Sequence, residues 1–152
     1  MQSTLLRNIT VVVAAMMLAS GLAFATDHRE LNGTWKLIPT RSELAGEPAI
    51  QTGTLKINDR QHNISISRNF TFDGENQSVS YSFDTDAREN TSIREGKTFK
   101  SKATWEDNEL AVVTTQDNLT TAERYRLLGD GTLMLTVDRP GHRSIHLYFE
   151  RE

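Results

Sequence analysis

Two charged residues stand where apolar ones belong. Glu123 shares its alternation with Tyr125 and Leu127, and Arg68 shares its own with Ile64, Ile66 and Phe70. A carboxylate turned into an apolar interior must pair or take up a proton. An internal Glu123–Arg68 pair could fix the polar head of a bound molecule. Either strand could instead be shifted or bulged, which would turn both charges to solvent. The sequence leaves both arrangements open.

Other reactive side chains do not assemble into a recognisable centre. The histidines are His28, His62, His142 and His146. On a strand, residues 142 and 146 share a face but stand about 13 Å apart, at ~3.3 Å per residue. No metal site is expected. Nucleophilic catalysis needs a serine, a base and an orienting acid within reach, and no Gly-x-Ser-x-Gly elbow occurs. Ser65, Ser67, Ser78, Ser80 and Ser82 read as the polar faces of strands. Gly129-Asp130-Gly131 reads as a hairpin turn and not a phosphate loop. The expectation is a non-enzyme with no cofactor.

There are no cysteines. That excludes disulfides, thiolate metal sites and a lipid anchor on an N-terminal cysteine. The formal net charge of −3 and a pI near 5.8 provide no basic field for nucleic acid. Asn-x-Ser/Thr recurs at Asn32, Asn63, Asn69, Asn76, Asn90 and Asn118, and reflects abundant Asn, Ser and Thr.

Residues 1–25 read as a Sec-type signal peptide. Arg7 supplies the positive charge, Ile9 to Leu18 a short apolar run, and Ala23-Phe24-Ala25 the small residues a signal peptidase reads. Cleavage is expected after Ala25, with a periplasmic or secreted product. The run is shorter than the ~20 residues that span a bilayer, so no stable membrane insertion is expected after cleavage.

Residues 26–152 form one domain. From Asn32 onward nearly every segment alternates with period two, and turn residues interrupt at regular intervals. The pattern predicts nine or ten short strands. A loop with Gly46 and Pro48 runs from Arg41 to Ala49, with room for one helical turn at Ser42–Leu44. A second strand is expected from about Thr54, with a turn at Asn58–Gln61. Tight turns favour antiparallel neighbours, and closure would remove exposed edges. The reading is an all-β, up-and-down meander closing into a barrel of about 8–10 strands. A two-sheet sandwich remains the competitor.

Leu31-Asn32-Gly33-Thr34-Trp35-Lys36-Leu37 places a Gly-x-Trp at the start of the first strand. Further along stand Lys102-Ala103-Thr104-Trp105, then Thr121 to Tyr125 leading to Leu128-Gly129-Asp130-Gly131, and the closing Leu147-Tyr148-Phe149-Glu150-Arg151. Together these resemble the small exported lipocalin-like proteins of bacteria over roughly Leu31 to Arg151. Transport lipocalins carry Thr-Asp-Tyr in a later loop, whereas here Thr85-Asp86 is followed by Ala87. Physically, Gly33 would let the backbone approach closely and Trp35 would plug one end. In a closed barrel the last strand would bring Arg151 over Trp35, a cation–π contact.

The resemblance implies a barrel that binds a small apolar or amphipathic molecule. Phe70, Tyr81, Phe83, Trp105 and Tyr125 would line it, Trp35 would floor it, and Arg68 and Glu123 would supply polar contacts. The second possibility is a structural or protein-interaction module of the cell envelope whose core is filled by its own side chains.

Overall fold

The computed structural model describes residues 28–46 and 49–152. The expected signal peptide, residues 1–25, lies outside the described residues. A short 3-10 turn, His28–Leu31, leads into ten strands. They are β1 (Gly33–Leu37), β2 (Ile50–Arg60), β3 (Asn63–Phe72), β4 (Glu75–Asp84) and β5 (Asn90–Arg94), followed by β6 (Lys97–Glu106), β7 (Glu109–Gln116), β8 (Leu119–Leu127), β9 (Leu133–Asp138) and β10 (Ile145–Arg151).

All ten belong to one antiparallel sheet in the order β4-β3-β2-β1-β10-β9-β8-β7-β6-β5. The first strand pairs with the last, with Trp35 opposite Arg151 and Leu37 opposite Phe149. A single sheet joined in this way is a nearly closed barrel and not a two-sheet sandwich. Its ladder ends at β4 and β5, which leave a seam between them. The Arg94 guanidinium fills that seam, 4.5 Å from the Tyr81 ring centre and 4.1 Å from that of Phe99.

Turn chemistry sets the registers. In the β3–β4 hairpin Asp73 and Gly74 both have positive φ (48° and 81°), and in the β5–β6 hairpin Glu95 and Gly96 do the same (50° and 75°). Two positive φ values in a two-residue loop give the turn whose twist matches that of paired strands. β2 is longer than its alternation suggests, because it starts at Ile50 and continues through Asn58–Arg60; the turn falls at Gln61 and His62. Cross-strand pairing of Asn58 with Ser65 and Arg60 with Asn63 outweighs the local turn tendency of these polar residues.

The expected helical turn at Ser42–Leu44 is absent. Glu43 instead forms an antiparallel bridge with His146. The Ser42 hydroxyl donates to the Ile38 carbonyl and accepts from the Tyr148 amide. These bonds to β10 satisfy the loop backbone, so no helix is needed to do so.

One end of the barrel is packed solid around Trp35, Leu55, Ile57, Ile64, Ile66, Leu110, Tyr125 and Phe149, each at most 2 % exposed. The Trp35 indole N–H donates to the Leu31 carbonyl at 2.9 Å. The Arg151 guanidinium lies 4.2 Å above the Trp35 ring and donates to the carbonyls of Asn32 and Glu30. Gly33 makes room for it: with φ at 138°, a Cβ here would lie 2.6 Å from Arg151 Nη1. The opposite end carries the β1–β2 loop and the β3–β4, β5–β6, β7–β8 and β9–β10 turns.

Candidate functional site

Beneath those loops lies a cavity of about 690 Å³. Its wall is mainly apolar: Leu44, Ile50, Phe70, Phe72, Leu135, Val137, Ile145 and Leu147. Arg68 and Glu123 are the charged groups at its depth, while Asp73, Glu75 and Arg139 sit where the strands end at the mouth.

Arg68 and Glu123 face inward because their strands hold register. Arg68 pairs across β2 with Leu55, and Glu123 sits between Val112 and Val137. The one register shift in the β2–β3 ladder lies between Ile50 and Thr52 and leaves Arg68 unaffected. The solvent-facing alternative is therefore not the one adopted. The two side chains are 13 % and 18 % exposed.

The pair is bidentate. Arg68 Nη1 donates to Glu123 Oε1 at 2.9 Å, and Arg68 Nη2 donates to Glu123 Oε2. Arg68 Nη2 also donates to the Tyr125 hydroxyl, which in turn donates to Glu123 Oε2 at 3.0 Å. Burial alone would raise the Glu123 pKa, but the adjacent Arg68 charge and hydrogen bonds outweigh it and hold the carboxyl below its ordinary value. Burial opposes the Arg68 charge too, yet Glu123 keeps that guanidinium more firmly protonated than usual. Burial pushes the Tyr125 phenol far above its ordinary range, so it stays a neutral hydroxyl.

The residues singled out from sequence fall into three places. Arg68, Phe70 and Glu123 line the cavity, and Tyr125 lies fully buried against the ion pair. Tyr81 and Phe83 line a smaller recess under the seam, together with Arg94, Phe99 and Glu123. Trp35 and Trp105 are at the packed end. Trp105 stacks on His28 with ring centres 3.9 Å apart, in a recess with Leu31 and Leu127. It points inward as its alternation requires, but it occupies the end of β6 farthest from the cavity. His146 lies on β10 with Nδ1 3.2 Å from Thr136 Oγ1, and His142 is in the preceding turn.

The sequence reading passed over Arg94 and much of the apolar wall. On this short strand Ile93 is 73 % exposed and Arg94 turns in. The detectable signal was the pair of aromatics, Tyr81 and Phe99, on the strands flanking β5. Ile50 and Leu44 lie at or beside a segment that reads as loop. Val137, Ile145 and Leu147 alternate correctly but carry no chemistry that singles them out.

Gly53 controls the cavity wall. It pairs across the sheet with Phe70, and a Cβ here would stand 2.5 Å from the Phe70 ring and 3.1 Å from Leu37 Cβ. Gly53→Ala is expected to drive Phe70 toward the cavity at a cost of about 1–3 kcal/mol. Urea denaturation should show that loss, and affinity for an apolar probe should fall with it.

Solved structures share this architecture. Secretory abundant heat soluble protein 4 from Ramazzottius varieornatus superposes with a TM-score of 0.63 at 19 % identity, covering 82 % of this chain and 96 % of that one. Fatty-acid-binding protein 1 of Echinococcus granulosus gives 0.62 at 13 % identity, over 81 % and 98 % of the two chains. Lipid binding protein 8 of Caenorhabditis elegans gives 0.57 at 15 %, over 82 % and 96 %. The shared property is the fold: a ten-stranded, nearly closed barrel of the lipocalin-like kind. No protein-family model and no curated protein matches the sequence.

Proposed function

We propose that this protein is a non-enzymatic carrier that holds a small apolar or amphipathic molecule inside its barrel. The observation that carries the reading is the 690 Å³ cavity with an apolar wall and one ion pair at its depth. Ligand sites commonly enclose about 300–1,000 Å³, are mostly apolar, and hold a few placed polar groups. A structural module with a core filled by side chains does not leave such a space. Fold neighbours that include fatty-acid- and lipid-binding proteins support the same reading at the level of architecture. We further propose export through residues 1–25, with the barrel acting in the periplasm or outside the cell. Among the described residues no helix is long and apolar enough to cross a membrane.

The test uses the neutral fluorescent probe N-phenyl-1-naphthylamine. The wild-type protein should enhance its emission saturably with a micromolar Kd. Val137→Trp puts bulk into the cavity from a half-buried position and should weaken binding at least tenfold while circular dichroism stays unchanged. Equal binding by both proteins would place the probe elsewhere and overturn the proposal.

A further inference from the structure

We propose that the cavity selects an amphiphile with an uncharged, hydroxyl-bearing polar end over one ending in a carboxylate; this deepens, and rests on, the carrier reading above. An interior arginine is the obvious receptor for a carboxylate, but Arg68 is already engaged. Both of its terminal nitrogens are committed to Glu123, and Nη2 also to Tyr125. An incoming carboxylate would therefore stand beside the Glu123 charge, in a place where water screens it poorly.

The charge balance of the wall points the same way. Arg68 and Arg139 are its two cations, against the three carboxylates Asp73, Glu75 and Glu123. Arg94 belongs to the seam recess and is held between Tyr81 and Phe99. Even with Arg94 included, cations only equal anions around the wall as a whole, and the surplus carboxylate stands at the mouth, where a ligand enters.

The unused hydrogen-bonding capacity matches a hydroxyl. Glu123 Oε1 takes one bond from Arg68 Nη1 and has a lone pair to spare. An alcohol can donate its proton to that lone pair. A carboxylate has no proton to give.

The experiment compares three 12-carbon ligands, dodecanol, 1-monolauroylglycerol and laurate, as displacers of N-phenyl-1-naphthylamine at pH 7.5. Wild-type protein should prefer each hydroxyl ligand to laurate by tenfold or more. Glu123→Gln should shrink that ratio at least fivefold, because the repelling charge is gone. Simple differences in ligand hydration would leave the ratio untouched by this substitution. Laurate binding as tightly as the alcohols, or an unchanged ratio in E123Q, overturns the selectivity while leaving the carrier reading intact. If E123Q does not fold, the wild-type ratio decides alone. If the probe and all three ligands fail to bind, the carrier reading falls and the selectivity falls with it.

Discussion

Replacing Arg68 with methionine is expected to destabilise the protein by about 3 kcal/mol or more. The change strands the Glu123 carboxylate among Val112, Val137 and Tyr125. Breaking one side of a buried pair leaves an uncompensated charge, typically at a cost of about 3–5 kcal/mol. The figure belongs at the lower end here, since both side chains are partly exposed to the cavity. Glu123→Leu should cost a comparable amount by stranding Arg68. The double variant R68M/E123L removes both charges and should recover most of the loss, so a double-mutant cycle in urea should show strong coupling. Additive losses would mean that the two groups do not act as a pair.

The pH dependence has a definite sign. Glu123 is held below its ordinary pKa by Arg68. Its folded form therefore binds a proton less readily than the unfolded chain. The stabilisation is complete above the ordinary carboxylate range and is lost as pH falls through the depressed folded value. In R68M the holding charge is gone, and this part of the acid dependence should flatten or reverse.

The second large effect is expected at the opposite end. Trp35→Ala should cost about 3–5 kcal/mol. The indole is fully buried, its N–H is bonded to the Leu31 carbonyl, and its face carries Arg151. Truncation opens a void between the paired first and last strands. Arg151→Ala removes only the cation–π contact, worth about 0.5–2 kcal/mol, together with two bonds to backbone carbonyls. It should be the milder of the two by chemical denaturation. Equal losses would contradict Trp35 as the plug of the barrel end.

Period-two alternation made the all-β meander legible, and turn residues marked most strand ends. The position of Gly-x-Trp and the closing Phe149-Glu150-Arg151 anticipated the pairing of β1 with β10. Inward parity likewise brought Arg68 and Glu123 to notice. Parity, however, reports which face a residue takes and not its height along the barrel. Trp105 shares the inward face with Ala103 and Ser101 but lies at the packed end, away from the cavity that Phe70 lines. The choice between barrel and sandwich rests on long-range pairing, which no local pattern encodes. Arg94 escaped notice because an exposed Ile93 beside an inward arginine reverses the usual preference, and the aromatic faces of Tyr81 and Phe99, with the Glu123 charge nearby, make that reversal favourable.

Methyl-resolved NMR on the protein titrated with 1-monolauroylglycerol tests the central claim most directly. Saturable shifts are predicted for Ile50, Leu135, Val137, Ile145 and Leu147, which line the cavity. Leu55 and Leu110, packed at the other end, should move little. Shifts confined to the outward-facing Ile93, Val113 and Leu119, or no saturable shifts at all, would contradict a ligand held inside the barrel.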